Sequence, residues 1–400
     1  MALLPVDEAK ARILKGAKAL PSEMVPLRQA LGRVLAKNVT AKRDQPPFPA
    51  SAMDGYAVRH ADIATVPATL KVIGMAPAGH GFRGKVKPGE AVRIFTGAPM
   101  PKGADTVVIQ ENTEASGSGV TVQQTAPDGA NIRVAGVDFR RGEELLKAGT
   151  TVDARTLGLA AAMNCAELAV HRRPKVAIFA TGDELVMPGK TPRADQIMSS
   201  NSFALSAFIS RFGAEPVDLG IIPDRLPAIR RAIRKAEKAD ILLTTGGASV
   251  GDHDLVQQAL AAEGIKLDFW KIALRPGKPL MYAKAGQRRI LGLPGNPVSA
   301  LVCSRIFLKP LLDLLLGRNP AETLKMARLT DPLPANDQRQ DYLRARLSED
   351  EDGQLRVTPM PKQDSSLQRA LREAGALIVR APFEGPAAAG DSVSVLLLDF

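Results

Sequence analysis

Along the 400 residues the spacing of apolar positions changes from region to region, and each change predicts a different kind of element. Between residues 7 and 37 apolar residues recur at helical spacing around Ala9, Ile13 and Ala17, and again around Leu27, Leu31, Val34 and Leu35, which predicts two amphipathic helices. After a proline-rich stretch, from Tyr56 to about Leu146, short β-like runs ("TLKVIG", "EAVRIF", "DTVVIQ", "GVTVQQ") are punctuated by Gly and Pro and predict a small antiparallel module. Helical spacing returns in "DARTLGLAAAMNCAEL", so the module reads as an insertion into a helical region. From Pro174 apolar strands alternate with helices: "KVAIFATGDEL", "SNSFALSAFISRFGAE", "PVDLGIIPD", a basic helix, "DILLTTGG", a helix from Asp254, "RRILGLPGN" and a helix from Pro297. That alternation predicts a parallel sheet covered on both faces. Beyond Gly317 it stops, and the remaining residues read as a small β-domain. The expected class is therefore multidomain α/β. Its parts are a discontinuous helical domain at 1–45 and 141–172, an inserted β-rich domain at 46–140, an α/β domain at 173–319 and a C-terminal β-domain at 320–400.

Length agrees, since 400 residues exceed what one core normally organises. The greasiest run, "IFLKPLLDLLLG", is interrupted by Lys309, Pro310 and Asp313 and is too short to span a bilayer, so no membrane is expected. The N-terminal stretch lacks a secretory pattern, and a cytoplasmic location is the expectation. The net charge of +11 raises the possibility of nucleic acid, but the basic residues are dispersed and aromatics are scarce, so nucleic acid is not an expected partner. In "RLPAIRRAIRKAEKAD" the charges sit between Leu226, Ile229 and Ile233 at helical spacing, which describes a solvated helix face. A surplus of cations equally suits a small anionic substrate. Cys165 and Cys303 read as buried thiols, and the four histidines show no zinc spacing.

Ligands of open α/β sheets bind beyond the carboxyl ends of the strands, and four such ends carry unusual turns here. "TTGGASVGDHD" sets Gly246, Gly247 and Gly251 among small residues including Ser249, so backbone N–H groups can approach an anion. Asp254 with Gln257 matches a capping box, and His253 between two aspartates reads as a solvated turn in preference to a metal ligand. "LPGNPVSA" offers Pro294, Gly295 and Asn296 ahead of Pro297, with Asn296 as N-cap of a helix whose free N–H groups favour anions. Asp183 and Glu184 form either a turn or a carboxylate pair, and "FWKIALRPGKP" adds Lys271, Arg275 and Lys278. Carboxylates and cations around glycine-rich cradles suit a phosphate-bearing ligand with Mg²⁺.

The ordered set "PPFPASAMDGYAV", "RIFTGAPMPKGADTVV", "GVDFRRGEEL", "TGDELV", "TTGGASVGDHD", "LRPGKPL" and "GLPGNPVSA" resembles the molybdopterin molybdenumtransferases, the MoeA family, related to the C-terminal domain of gephyrin. The resemblance spans essentially the whole chain. It implies a helical domain interrupted by a β-rich one, an α/β domain of the molybdopterin-binding type and a C-terminal β-barrel. It also implies a homodimer whose active sites cross between subunits, and conversion of adenylylated molybdopterin and molybdate, with Mg²⁺, into molybdenum cofactor and AMP. Molybdopterin adenylyltransferase and molybdoenzyme-maturation proteins are the partners it suggests. By the same resemblance Asp54, Thr96 and Asp138 are functional positions of the inserted domain, and Glu184, Asp224, Asp254, Lys271 and Arg275 face them across the cleft. Arg344 and Ser365 join from the C-terminal domain. Glu184, Asp224 and Asp254 would hold Mg²⁺, and the cations would ease the approach of anionic substrates. Two positions depart from the family pattern: Arg275 stands where Lys is common, and Ser366 where Gly is usual. A non-catalytic molybdopterin-binding scaffold and a pterin or nucleotide hydrolase remain alternative functions.

Overall fold

A computed structural model of the chain describes residues 3–246 and 255–400. Two compact units emerge, one of Met24–Leu31 with Lys37–Ala169, the other of Met1–Glu23, Gly32–Ala36 and Val170–Phe400.

In the first unit the alternating runs build a six-stranded sheet, in the order Thr106–Ile109, Gly55–Val58, Glu90–Ile94, Ala68–Ala76, Gly119–Val122, Thr113–Ser116. The pairings are antiparallel except Ala68–Ala76 with Glu90–Ile94, which is parallel and corrects the expectation of an all-antiparallel module. Strand alternation divides the apolar residues between two clusters. Tyr56, Val58, Leu70 and Val120 pack on one side, and Ala57, Val92, Ile94 and Val107 on the other. Gly55 opens its strand where a Cβ would lie 2.0 Å from the Val108 carbonyl oxygen, so the close strand approach itself excludes a side chain. Helix Ala154–Ala162 starts at Asp153, whose carboxylate accepts from the Thr156 N–H at 2.8 Å.

The second unit carries a sheet in the order Glu215–Ile222, Lys175–Thr181, Ile241–Thr245, Arg288–Leu293, Met281–Ala285, Leu267–Phe269. The first four strands pair parallel, and the last two pairings are antiparallel, so that of all six only Met281–Ala285 runs against the rest. Ile178, Leu243 and Leu291 bury against Leu205 and Phe208 of helix Asn201–Arg211, and Ala177, Phe179 and Leu242 against Ile229 and Ile233 of helix Leu226–Lys235. Both faces are thus covered, each large side chain contributing about 1.5–3 kcal/mol. Helix Val6–Leu14 adds Val6, Ala9 and Ile13 to the first of these cores. Strands Lys325–Leu329, Gln340–Glu349, Leu355–Pro359, Ala376–Arg380 and Ser392–Leu397 close into a five-stranded barrel, completed by Gln340–Glu349 pairing with both Leu355–Pro359 and Ala376–Arg380.

The second helix expected near Leu27–Leu35 does not form. Leu27–Gln29 makes a single 3₁₀ turn after Pro26, and Gly32 at φ +73° breaks any continuation. Val34 and Leu35 are fully buried nonetheless, so their spacing reflects burial without helical geometry. "IFLKPLLDLLLG" packs Phe307, Leu308, Leu311 and Leu312 into the core, and among the described residues no helix is long and apolar enough to cross a membrane. Cys165 and Cys303 are free and buried, and burial pushes the Cys303 thiol well above its ordinary range.

Candidate active site

The carboxyl ends of three parallel strands run into glycines that bring backbone against backbone. Gly246 follows Ile241–Thr245 at φ +82°, and a Cβ there would lie 2.2 Å from the Thr181 carbonyl oxygen. A Cβ on Gly182 would lie 2.6 Å from a Glu184 carboxylate oxygen, and one on Gly295 would touch the Gly246 Cα at 3.6 Å. Above these contacts opens a pocket of ≈ 400 Å³ whose lining includes Glu184, Ser199, Ser200, Asn201, Asn296 and Gln368. Helix Asn201–Arg211 begins at its wall, so unpaired first-turn N–H groups and the positive end of the helix dipole favour an anion there. Ser199 is 2% exposed and, among the described residues, its hydroxyl has no hydrogen-bond partner.

Polar bonds tie the pocket walls together. Asn201 Nδ2 donates to the Gly295 carbonyl at 2.8 Å, Asn296 Nδ2 to Ser365 Oγ at 2.7 Å, and Gln368 Nε2 to Ser200 Oγ at 2.8 Å. Asn296 precedes helix Pro297–Cys303 as expected, but its side chain makes no capping bond. The Val298 N–H instead donates to the Ser365 carbonyl. Ser366 adopts an ordinary backbone conformation, and its hydroxyl and N–H both donate to Asp364, which holds that carboxyl below its usual range. Replacement of the expected Gly is thereby accommodated without strain.

Asp224 interacts with Asp183 and with Glu184 of the pocket lining. The Asp224 N–H donates to Asp183 Oδ1 at 3.2 Å. Burial, then the charges of Asp183 and Glu184, hold the Asp224 carboxyl above its ordinary value. Of the three residues expected to hold metal, Glu184 and Asp224 are placed, whereas Asp254 lies outside the described residues, as do Gly247, Ser249 and Gly251. Among the described residues no three carboxylate, imidazole or thiol groups gather closely enough to form a metal cage. Mg²⁺ commonly takes one or two carboxylates together with water and substrate phosphate, and the mutual repulsion at Asp224 fits such a cation.

The expected cations are elsewhere: Lys271, Arg275, Lys278 and Arg344 do not line this pocket. Lys271 lies over the Trp270 ring at 4.2 Å. Arg275 grips Asp341 with both Nε and Nη2, the former at 2.8 Å, and also reaches Asp337 and Asn336, so its charge is neutralised by the barrel entrance. Arg344 is 1% exposed, with Nη2 donating to the Lys362 carbonyl at 3.3 Å, and burial lowers its pKa. Its Nε and Nη1 have no hydrogen-bond partner among the described residues. Pairing and burial of this kind have no local sequence signal. Ser199, Ser200, Asn201 and Gln368 were missing from the expected site, although the polar start of "SNSFALSAF" marked a helix N-terminus.

In the other unit, Asp54 Oδ1 accepts from the Thr96 N–H at 2.8 Å and the Thr96 hydroxyl at 2.7 Å. The N–H bond first, then the hydroxyl, draws the Asp54 carboxyl below its usual range. Arg93 braces the loop between the Tyr56 and Phe95 rings, 5.0 Å from each, and donates to the Gly55 carbonyl. Asp138 is exposed, and its N–H donates to the Gln45 carbonyl.

Comparison with known proteins gives matches along the chain: the MoeA N-terminal region (domain I and II) at residues 4–164, the "Probable molybdopterin binding domain" at 177–314 and the MoeA C-terminal region (domain IV) at 326–398. A molybdopterin molybdenumtransferase from Nostoc is 40% identical over 80% of this chain and 76% of its own length. One from Haemophilus influenzae is 34% identical over 98% of both. A crystal structure of a molybdopterin biosynthesis MoeA protein from Pyrococcus horikoshii superposes with a TM-score of 0.85 at 30% identity, covering 99% of each chain.

Proposed function

Because this chain belongs to the MoeA family of molybdopterin molybdenumtransferases, enzymes of molybdenum cofactor biosynthesis, we propose that it inserts molybdate into adenylylated molybdopterin and releases AMP in an Mg²⁺-dependent reaction. The observation that carries this reading is the strand-end pocket, where the glycine-lined floor and the start of helix Asn201–Arg211 adjoin Asp183, Glu184 and Asp224.

An anionic phosphate entering the pocket meets the first-turn N–H groups of that helix, beside Ser199, whose buried hydroxyl has no hydrogen-bond partner among the described residues. Gly246 and Gly295 keep side chains away from its approach. Glu184 and Asp224, with Asp254, would hold Mg²⁺, which when bound would supply positive charge to the phosphate groups. Gln368 and Asn296 fix the C-terminal β-domain against the pocket through Ser200 and Ser365. Lys271 and Lys278, outside the pocket lining, are the cations we assign to the approach of the anionic substrates, whereas Arg344 is too buried to touch them and Arg275 is paired with Asp341. Asp54, Thr96 and Asp138 act on the site of the other subunit in a cytoplasmic homodimer, which receives its substrate from molybdopterin adenylyltransferase and passes its product to molybdoenzyme-maturation proteins. The test is AMP release from adenylylated molybdopterin with and without molybdate and Mg²⁺. Release that needs both supports the reading, and release indifferent to molybdate identifies a hydrolase.

A further inference from the structure

Beside the strand-end pocket lies a second cavity of ≈ 600 Å³, and the two share Ser200, Asn201, Pro297 and Gln368 as a common wall. The first has a glycine floor and mixes hydroxyl, amide and carboxylate groups with Leu185, Ile197 and Met198, and the second is the more apolar of the two. The second is walled by Ala204, Phe208, Leu301, Leu371, Leu398 and Phe400, with Arg211 and Arg372 also lining it. Phe208 and Phe400 meet edge to face, their ring centroids 5.0 Å apart at 71°, so the buried Phe208 backs Phe400, which gives the slot its aromatic surface. Phe400 remains 40% exposed, and Arg211 is held nearby by donation from Nε to the Asp399 carbonyl at 3.3 Å. At the junction, the Gln368 amide donates to Ser200 Oγ and leaves its own carbonyl oxygen as an acceptor.

A ligand that fills both cavities must be anionic at one end and flat and apolar at the other, with ring-edge donors or acceptors between. We propose that the apolar slot is the subsite for the heteroaromatic ring of a phosphorylated ligand whose phosphate lies in the strand-end pocket. This deepens the proposed function, on which it rests for the ligand's identity, and two rings share the required chemistry: the adenine of the nucleotide and the pterin. Slot volume suits a bicyclic or tricyclic ring, and an aromatic wall with nearby guanidinium groups suits stacking.

Ala207 lines the slot from an exposed helix position, so a larger side chain there fills the slot without entering the core. The test uses the full chain without molybdate and compares binding of AMP, neopterin monophosphate and ribose 5-phosphate by calorimetry. Wild type is expected to bind at least one ring-bearing phosphate about tenfold or more tighter than ribose 5-phosphate, since a stacked ring contributes on the order of tenfold in affinity. Ala207→Trp should abolish that advantage and leave ribose 5-phosphate unchanged, and Ala204→Leu, a smaller plug on the same wall, should reduce it. Loss confined to AMP assigns the slot to adenine, and loss confined to the pterin assigns it to that ring. No ring advantage in wild type, or an advantage that survives both plugs, overturns the subsite. Failure of molybdate-dependent AMP release in wild type would overturn the proposed reaction instead, a separate reading from these binding data.

Discussion

Asp54 and Asp224 are both loop carboxylates at the ends of strands, and their surroundings drive them in opposite directions. Asp54 receives two hydrogen bonds from one threonine and stays ionised below the usual range. Asp224 is partly buried and then faces like charge from Asp183 and Glu184, and it holds its proton more tightly than usual. The first group is satisfied by its own loop, with Oδ1 taking both bonds and the carboxylate fixed in direction. The second has hydrogen-bonding help from Asp183 and Thr181, but burial and like charge outweigh it. A clamped carboxylate suits positioning, and one raised by burial and like charge suits a cation site.

The floor beneath Asp224's neighbours is the most sensitive place to disturb this contrast. Gly246→Ala combines a left-handed backbone with a Cβ 2.2 Å from the Thr181 carbonyl oxygen, so the strand ends must separate. Turnover should fall by about 10²-fold or more, because displacement of a site by an ångström has that effect. The midpoint of thermal unfolding should drop as well. Gly220→Ala, at φ +81° with nothing within 4 Å of its Cβ, isolates the backbone strain alone. Equal turnover in the two variants would mean that the glycine floor does not position the chemistry.

Next in size is the test of whether Asp54 and Glu184, the pocket-lining neighbour of Asp224, serve one proposed site from two subunits. Asp54→Ala and Glu184→Ala homodimers should each be nearly inactive. A mixed dimer has, by two-fold symmetry, one site lacking both groups and one lacking neither. Differently tagged copies, co-expressed and purified for both tags, should therefore recover about half of wild-type molybdenum insertion. A doubly tagged dimer no more active than its parents separates Asp54 from the partner's site.

Asp224→Asn should reduce turnover by about tenfold or more while leaving the fold at least as stable, the reverse of an ordinary structural loss. The raised pKa fixes the sign. Protonated Asp224 favours the fold below its unfolded value near 3.8, and this contribution is lost as pH rises through the folded value. At neutral pH the variant should match or exceed the wild-type unfolding midpoint, with the difference closing in acid. A variant that unfolds earlier at neutral pH would show that Asp224 is already compensated by a group of the fold.

Periodicity made the layers legible. Apolar strands such as that of "KVAIFATGDEL" alternating with helices led directly to a sheet covered on both faces, because each strand buries both its sides and each helix one. It misled at Leu27–Leu35, where Pro26 and Gly32 outweigh apolar spacing. At the site, glycines at strand ends could be read from type and order alone. Arg275 could not, because its partner Asp341 lies 66 positions away and only folding of the barrel brings them together. Gln368 was hidden for the same reason, as its bond to Ser200 spans 168 positions.

The smallest expected effect bears most directly on the clamp itself. Thr96→Val removes the hydroxyl donor to Asp54 and preserves the N–H donor, so the carboxyl should rise part of the way toward its ordinary value near 3.8. A depressed pKa contributes stability that is present above the unfolded value and is lost as pH falls through the folded one. The wild type should therefore unfold at a slightly higher temperature than Thr96→Val at neutral pH, and the two curves should converge in acid, once Asp54 is protonated in both. Turnover should fall by less than about tenfold, since one of two hydrogen bonds to the same oxygen survives and the carboxylate keeps its charge. Thr96→Ser restores the hydroxyl and should recover both properties. If Thr96→Val were as inactive as Asp54→Ala with unfolding unchanged at every pH, the threonine hydroxyl would be acting on substrate, and its bond to Asp54 would be the means of aiming it.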